Sequence, residues 1–330
     1  MRVGIDAMGG DRAPAEVVRG ALAACDLLDD DDRLVLVGRE NEVRPHLDGA
    51  DGPADRIELH HAPDVIDMDA PPVEALRAQP DSSIAVLAEM HKAGAIDAFV
   101  SAGNTGACVA AAQMRLRRLR GVHRPGIAII APTFHGPVCI CDVGANVNCR
   151  PEHLHQYGQM ASLYVQALAD VERPRVALLS IGEEDAKGNE LVKRTHQLLR
   201  DDPSLQFVGN VEGRDLFTGA CDVLVCEGFV GNVVLKLMEG MAPGIITALV
   251  GELAAALPEQ AQAVRDAAGG IRRRYDFNEY GGAPLLGVGG ICMICHGASS
   301  YRGIKYAVRG AKEFARRRVN DEIIHRLSQS

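Results

Sequence analysis

Five short glycine-rich breaks in this 330-residue chain bring together side chains that can do chemistry. They read Ile5-Asp6-Ala7-Met8-Gly9-Gly10-Asp11, Ser101-Ala102-Gly103-Asn104-Thr105-Gly106, Asp142-Val143-Gly144-Ala145-Asn146, Cys226-Glu227-Gly228-Phe229-Val230-Gly231-Asn232 and Tyr280-Gly281-Gly282-Ala283-Pro284. Glycine lets backbone N–H groups approach an anion closely. A following helix N-terminus adds partial positive charge. Five breaks after apolar runs point to one polar, anion-holding site built from strand ends.

Individual side chains refine this, each with a plainer alternative. Ser101, Asn104 and Thr105 bring hydroxyls and an amide to a turn before a helix. That turn can hold a phosphate or carboxylate, or can simply cap the helix. Lys187 lies after Glu183, Glu184 and Asp185, as a positioned cation or a solvated loop lysine. Asn232 can donate an amide hydrogen bond to a developing oxyanion. His296, before Gly297-Ala298-Ser299-Ser300, is a proton carrier or a satisfied structural histidine. Dinucleotide and P-loop glycine patterns are absent, as are a nucleophile elbow and paired metal-ligand spacing. His60-His61 reads as a surface pair. Cys292 and Cys295 lie in an apolar run and read as buried strand residues rather than a zinc or redox pair.

The elements that must position these groups alternate. Strands are predicted at Val3–Asp6, Arg33–Gly38, Ile57–His60, Ala98–Ser101, Ile127–Pro132, Val138–Asp142, Arg175–Ile181, Phe207–Val211, Val223–Cys226 and Ile291–Cys295. Helices are predicted after Pro14, at Ser82–Ala93, Gly106–Leu116, Glu152–Leu168 and Asn189–Arg200, from Val233, and over most of Tyr301–Leu327. The pattern predicts an α/β fold, a largely parallel sheet flanked by helices, as one domain over 1–330. Ligands then sit outside the carboxyl ends of strands. Gly49–Ala54 and Ala267–Gly270 read as exposed loops. A helical, partly apolar segment is expected at about 241–275. Within it Ile245, Leu249, Leu253 and Leu257 recur every four residues, as a buried or dimer-interface helix or as an apolar tip touching lipid.

Hydrophobic residues make up 47% and aromatics 4%, so the core must be packed from aliphatic side chains. The formal charge of −9 argues against nucleic-acid binding. Arginines nevertheless cluster at Arg115 to Arg120, Arg272 to Arg274 and Arg316 to Arg318, as solvated helix faces or a dock for an acidic protein or anionic membrane. Nine cysteines without disulfide spacing fit a reducing cytosol. No signal peptide is apparent, and no run is expected to reach the ~18 apolar residues of a membrane span.

Taken together in order, the motifs resemble the bacterial phosphate acyltransferases of phospholipid synthesis (the PlsX type). The matching segments are Asp6 to Asp11, Ser101 to Ala107, Asp142 to Asn146 with Pro151 to His153, Ile181 to Glu184 with Lys187 to Leu191, Val211 to Asp215, Gly228-Phe229 with Gly231 to Val233, Tyr280 to Gly287, and His296-Gly297 with Ser299. Glu227 and Ala298 depart from the family pattern, which favours Asp and Ser there. The resemblance implies a fold like the isocitrate and isopropylmalate dehydrogenases and phosphotransacetylases, without nicotinamide or any other cofactor. It implies transfer of a long acyl chain from acyl carrier protein to inorganic phosphate. The acyl phosphate then feeds a membrane glycerol-3-phosphate acyltransferase. It also implies a cytoplasmic homodimer in peripheral membrane contact through Leu249, Leu253 and Leu257. On this reading Asp6, Gly9, Gly10, Ser101, Gly103, Asn104, Thr105, Asn146 and Gly231 line the phosphate and acyl site. Lys187, Asn232 and His296 act on the reacting atoms. The alternatives are a phosphotransacetylase-like enzyme using short acyl-CoA and a non-enzymatic membrane scaffold.

Overall fold

The short apolar runs pair into an eleven-stranded sheet in a computed structural model that describes residues 1–49, 53–169 and 171–328. The strands are β1 (Arg2–Asp6), β2 (Arg33–Gly38), β3 (Ile57–His61), β4 (Ala98–Ser101), β5 (Gly126–Ala131), β6 (Val138–Cys141), β7 (Arg175–Leu179), β8 (Gln206–Val211), β9 (Val223–Val225), β10 (Ala283–Leu286) and β11 (Cys292–Ile294). The helices are α1 (Ala15–Ala24), α2 (Glu40–Asp48), α3 (Pro72–Ala78), α4 (Ser83–Lys92), α5 (Thr105–Arg115), α6 (Pro151–Ala169), α7 (Glu190–Asp201), α8 (Gly228–Ala256), α9 (Ala261–Arg274), α10 (Tyr301–Arg316) and α11 (Val319–Ser328).

The strand order is β3-β2-β1-β4-β11-β10-β5-β6-β9-β7-β8. Three neighbouring pairs at the centre, β11/β10, β10/β5 and β5/β6, are antiparallel, and the rest are parallel. The reversal points β1, β4 and β11 one way and β6, β9 and β7 the other. A flat sheet would send their carboxyl ends apart. Native twist turns successive strands by roughly 20–25°, or about 100° or more over the five steps from β4 to β9. The loop after β11 and the helix after β9 therefore meet. His296, just beyond β11, comes within 3.9 Å of Glu239 in α8, which follows β9.

The core is aliphatic, with Tyr157, Tyr164 and Phe99 among its few fully buried aromatics. Cys139 and Cys141 pack into one core cluster with α6. Cys292 and Cys295 are buried, and burial pushes the Cys295 thiol up to about 12. A thiol held protonated is a poor nucleophile and metal ligand.

Several expectations need correction. Ala267–Gly270 is not a loop but lies inside α9, which packs on α8 and buries Ala268. Tertiary contact there outweighs the roughly 1 kcal/mol that each helical glycine costs. Helices α2 and α3 and strand β10 escape the sequence pattern; α2 carries Pro45 inside it. The fifth glycine break does not end a strand. Gly281 and Gly282 adopt positive φ and turn the chain into the start of β10. Of the loop expected over 49–54, residues 50–52 lie outside the described residues.

Helix α8 starts earlier than its sequence pattern indicates and runs 29 residues, about 43 Å. The Glu227 carboxylate caps it, accepting from the N–H groups of Phe229 and Val230 (2.7 and 2.9 Å). Its most apolar 18-residue window has a mean hydropathy of 1.7, so length and composition do reach those of a membrane span, contrary to expectation. Its first turns, however, are held against the sheet by buried Gly228, Gly231, Leu235 and Met238. The remainder projects with α9 as a hairpin, leaving Leu249, Leu253 and Leu257 exposed.

Candidate functional site

The turn after β6 is organised by a buried carboxylate. Asp142 Oδ1 accepts from the N–H groups of Ile127, Gly144 and Ala145 (3.0–3.1 Å), and Oδ2 accepts from the N–H and the amide of Asn146 (2.8 and 3.2 Å). Burial pushes this carboxyl up, and the hydrogen bonds pull against that. The Asn146 amide also donates to the Pro125 carbonyl (2.6 Å) and to Tyr157 Oη (2.9 Å). Both side chains are thus committed to shaping the loop.

The first turn of α8 presses on that loop. A Cβ at Gly231 would sit 1.9 Å from the Asp142 carbonyl oxygen. Gly231 therefore sets the depth of the helix, and Asn232 follows it, exposed, beside Gly144. Lys187 is exposed in the loop after β7, and β7 pairs with β9, which leads into α8. Neither Lys187 nor Asn232 has a side-chain hydrogen bond or ion pair among the described residues. An amide and an ammonium thus stand unengaged at adjacent strand ends.

The other half of the sheet forms a small pocket of about 170 Å³, lined by Asp6, Met8, Gly9, Gly10 and Gly103 together with residues 65–68, Ser83 and Ile84. Here the chemistry differs from an open phosphate cradle. The Ser101 hydroxyl donates to Asp6 Oδ2 (2.7 Å) and accepts from the Gly103 N–H (3.0 Å). Asp6 is buried, and desolvation pushes its carboxyl up against the hydrogen bonds from Ser101 and Ser83. A Cβ at Gly9 would lie 2.4 Å from Asp6 Oδ2 and 2.6 Å from the Gly103 nitrogen. Gly10 abuts the Gly297 carbonyl, and the Asp11 N–H donates to it (2.8 Å). This pocket thereby touches the loop that carries His296.

Asn104 is occupied on both sides. Its Oδ1 accepts from the Ala107 N–H (2.9 Å), capping α5, and its Nδ2 donates to the carbonyls of Asp67, Met68 and Ala70 (each 3.0 Å). The capping alternative describes this side chain, and Thr105 beside it is exposed. Asn104→Ala should therefore lower stability by about 1–3 kcal/mol, because a cap and the hold on three carbonyls vanish together. Chemical denaturation measures this. A change below ~0.5 kcal/mol would show that the hold is slack.

Between the halves lies a cleft of about 470 Å³ whose walls include His296, Glu239, Asn278, Ser299 and Arg272. His296 Nδ1 accepts from the Ala298 N–H (3.1 Å), which leaves the ring proton on Nε2, the nitrogen 3.9 Å from Glu239. Glu239 and Asn232 are seven residues apart on one face of α8, about 10 Å along it. One helix face thus links the cleft to the strand ends that carry Asn232.

The sequence patterns missed an adjoining groove of about 400 Å³, whose lining is almost entirely apolar. Phe134, Phe217, Leu237, Met238, Met241 and Ile271 contribute to it. Cleft and groove share Ala242, Ile246, Tyr275 and Phe277 as common walls. The Phe134 ring packs against Phe217 and Tyr275, 5.6 Å from each. Val234, Leu237/Met238, Met241 and Ile245 extend the apolar stripe of α8 one helical turn after another, which is the sequence signal that could have found the groove.

A family model described as fatty acid synthesis protein matches residues 1–322. A protein named phosphate acyltransferase from Heliobacterium modesticaldum is 47% identical over 316 residues, 95% of this chain and 93% of its own. Another of that name from Dictyoglomus turgidum is 41% identical over 332 residues, covering 100% and 98% of the two chains. Among solved structures, a Streptococcus pyogenes phosphotransacetylase superposes with a TM-score of 0.65 at 15% identity, over 96% of this chain and 94% of that one. A putative 4-hydroxythreonine-4-phosphate dehydrogenase from Salmonella typhimurium gives 0.54 at 13%, over 94% and 98%. These two likenesses speak for the fold alone, a mixed α/β architecture with a large, mostly parallel sheet. Identity above 40%, sustained from one end of the chain to the other, makes this protein a member of the phosphate acyltransferase family.

Proposed function

We propose that this acyltransferase moves a long-chain acyl group from acyl carrier protein to inorganic phosphate, giving acyl phosphate and the carrier's free thiol. The observation that carries this reading is the shared wall between the polar cleft and the apolar groove. A thioester carbonyl in the cleft can send its hydrocarbon tail into the groove, and burying each methylene contributes about 0.8 kcal/mol. An acetyl group has no use for such a groove.

A phosphate oxygen attacks the thioester carbon, the C–S bond breaks, and the thiolate takes a proton. Thioester and phosphate are already an activated electrophile and a nucleophile, so placement is the main task. Orientation can supply up to ~7–11 kcal/mol, and one oxyanion donor ~3–4 kcal/mol. Lys187 neutralises phosphate or oxyanion charge, and Asn232 donates to the oxyanion. His296 Nε2–H faces the cleft as proton donor to the leaving sulfur. Because the Ser101 hydroxyl and the Asn104 amide are already engaged, the Asp6, Gly9, Gly10 and Gly103 pocket supports substrate binding chiefly through its backbone and through the Gly297 contact.

The exposed arginines Arg272 to Arg274 are the dock we assign to the acidic carrier. Leu249, Leu253 and Leu257 on the projecting hairpin are assigned to lipid contact, and the hairpin's apolar area suits a homodimer. A cytoplasmic protein so placed hands its product to a membrane glycerol-3-phosphate acyltransferase. The antiparallel strands at the centre of the long sheet support a fold of the isocitrate and isopropylmalate dehydrogenase kind.

Incubation with long-chain acyl carrier protein and phosphate should form acyl phosphate and release the carrier's free thiol, and neither should appear when phosphate is omitted. Preferred turnover of acetyl- or butyryl-CoA would instead support a short-chain phosphotransacetylase. Met241→Asp should depress turnover of long acyl donors more than of short ones, since a charge in the groove opposes the tail. Equal loss at every chain length would place the tail elsewhere.

A further inference from the structure

We propose that His196, with Asn210 and Asp185, forms a strut that positions Lys187. This rests on the role given to Lys187 above. The loop between β7 and α7 is exposed along most of its length, yet it is tied down close to that lysine. The Lys187 N–H closes a turn on the Glu184 carbonyl (2.9 Å), and Asn210 Nδ2 in β8 donates to the same carbonyl (3.0 Å). Asp185 between them reaches His196 Nε2 (3.3 Å) and Arg200 Nη1 (2.9 Å), both from α7.

His196 is the buried part of this arrangement, with a side chain 5% exposed against 67% for Asp185. Its ring stands edge-on to Phe207, 5.0 Å away. Its Nδ1 lies 3.0 Å from Asn210 Oδ1. The Asn210 amide is oriented by its own donation to Glu184, so its oxygen must face the ring and needs a donor there. Nδ1 therefore carries a proton. Nε2 faces a carboxylate, so it too is satisfied when it carries one.

The charged groups around the ring are few. Asp185 comes from the loop and Arg200 from α7, while β8 offers uncharged Asn210 and Phe207. On α6, which packs against α7, His155 is already paired with Asp202 at the far end of α7 (2.7 Å). Arg200 adds a weaker, solvent-screened hold on Asp185. His196 is a positioning residue: it acts on the substrate only through the two-residue link from Asp185 to Lys187.

The test uses the full chain and two readouts, acyl phosphate formation and amide hydrogen exchange of residues 181–189. His196→Ala should raise loop exchange and lower kcat/KM by on the order of 10²-fold, chiefly through the phosphate KM. Asp185→Ala should loosen the loop in the same way, whereas Asp185→Asn, whose amide can still bond the ring, should stay protected. Asp185 is exposed, so these two variants remain informative even if His196→Ala does not fold. Unchanged loop exchange and activity in His196→Ala, or Asp185→Ala and Asp185→Asn behaving alike, would overturn the strut. An active Lys187→Ala would instead overturn the role of the lysine, leaving the exchange result to stand alone.

Discussion

Asn232→Ala should lower the rate of acyl phosphate formation by about 10²–10³-fold with little change in stability. That is the usual cost of removing one preorganised oxyanion donor. Asn232 is exposed and unengaged among the described residues, so no internal contact is lost with its amide. Lys187→Ala should bring a comparable loss with a larger share in the phosphate KM, since an ammonium acts on the charged ground state as well as on the transition state. Steady-state kinetics with phosphate as the varied substrate separates the two. Near-normal rates in both variants would remove these residues from the mechanism. A loss in kcat for Lys187→Ala with KM unchanged would exchange the two roles.

Gly231→Ala should destabilise the fold by about 3 kcal/mol or more. The new methyl would meet the Asp142 carbonyl oxygen at 1.9 Å and Cys226 Sγ at 2.9 Å. Backbone cannot yield as a flexible side chain can, so the cost lies at or beyond the usual range for overpacking. The molecules that still fold should also be poor catalysts, because α8 must lift off the loop and take Asn232 with it. Gly251, in the same helix, provides the control. A Cβ there meets nothing within 4 Å, so Gly251→Ala should stabilise by about 0.5–1 kcal/mol. Thermal melts of the two variants should therefore shift in opposite directions. Equal shifts would mean that helix propensity, and not the close approach at 231, dominates.

Local pattern made the elements legible because it follows from what each short run must bury. The strand predicted over Arg33–Gly38 coincides with β2, and Ala98–Ser101 coincides with β4. Helix α8 was legible in its apolar repeat but not in its start, because Gly228 and Gly231 look like a loop until the turn after β6 is packed against them. Strand β10 was invisible: four residues after two glycines carry no periodicity, and its pairing with β5 and β11 is a long-range property.

The glycine breaks divide along the same line. By itself the sequence determined that strand ends carry glycines beside Asp6, Ser101, Asp142 and Asn232, and its ordered motifs fixed the family. Which side chains remain free to meet a substrate was decided by tertiary structure, because hydrogen-bond partners come from distant segments. Asn104 is taken up by the carbonyls of Asp67, Met68 and Ala70, Ser101 by Asp6, and Asn146 by Pro125 and Tyr157. Among the described residues, Lys187 and Asn232 keep their side-chain polar groups unengaged. The reversed strands at the sheet centre, together with its twist, bring the loop after β11 against α8, with His296 within 3.9 Å of Glu239. Residue types can announce a polar site, but only the packing of segments far apart in sequence decides which polar atoms are still unpaired once the chain has folded.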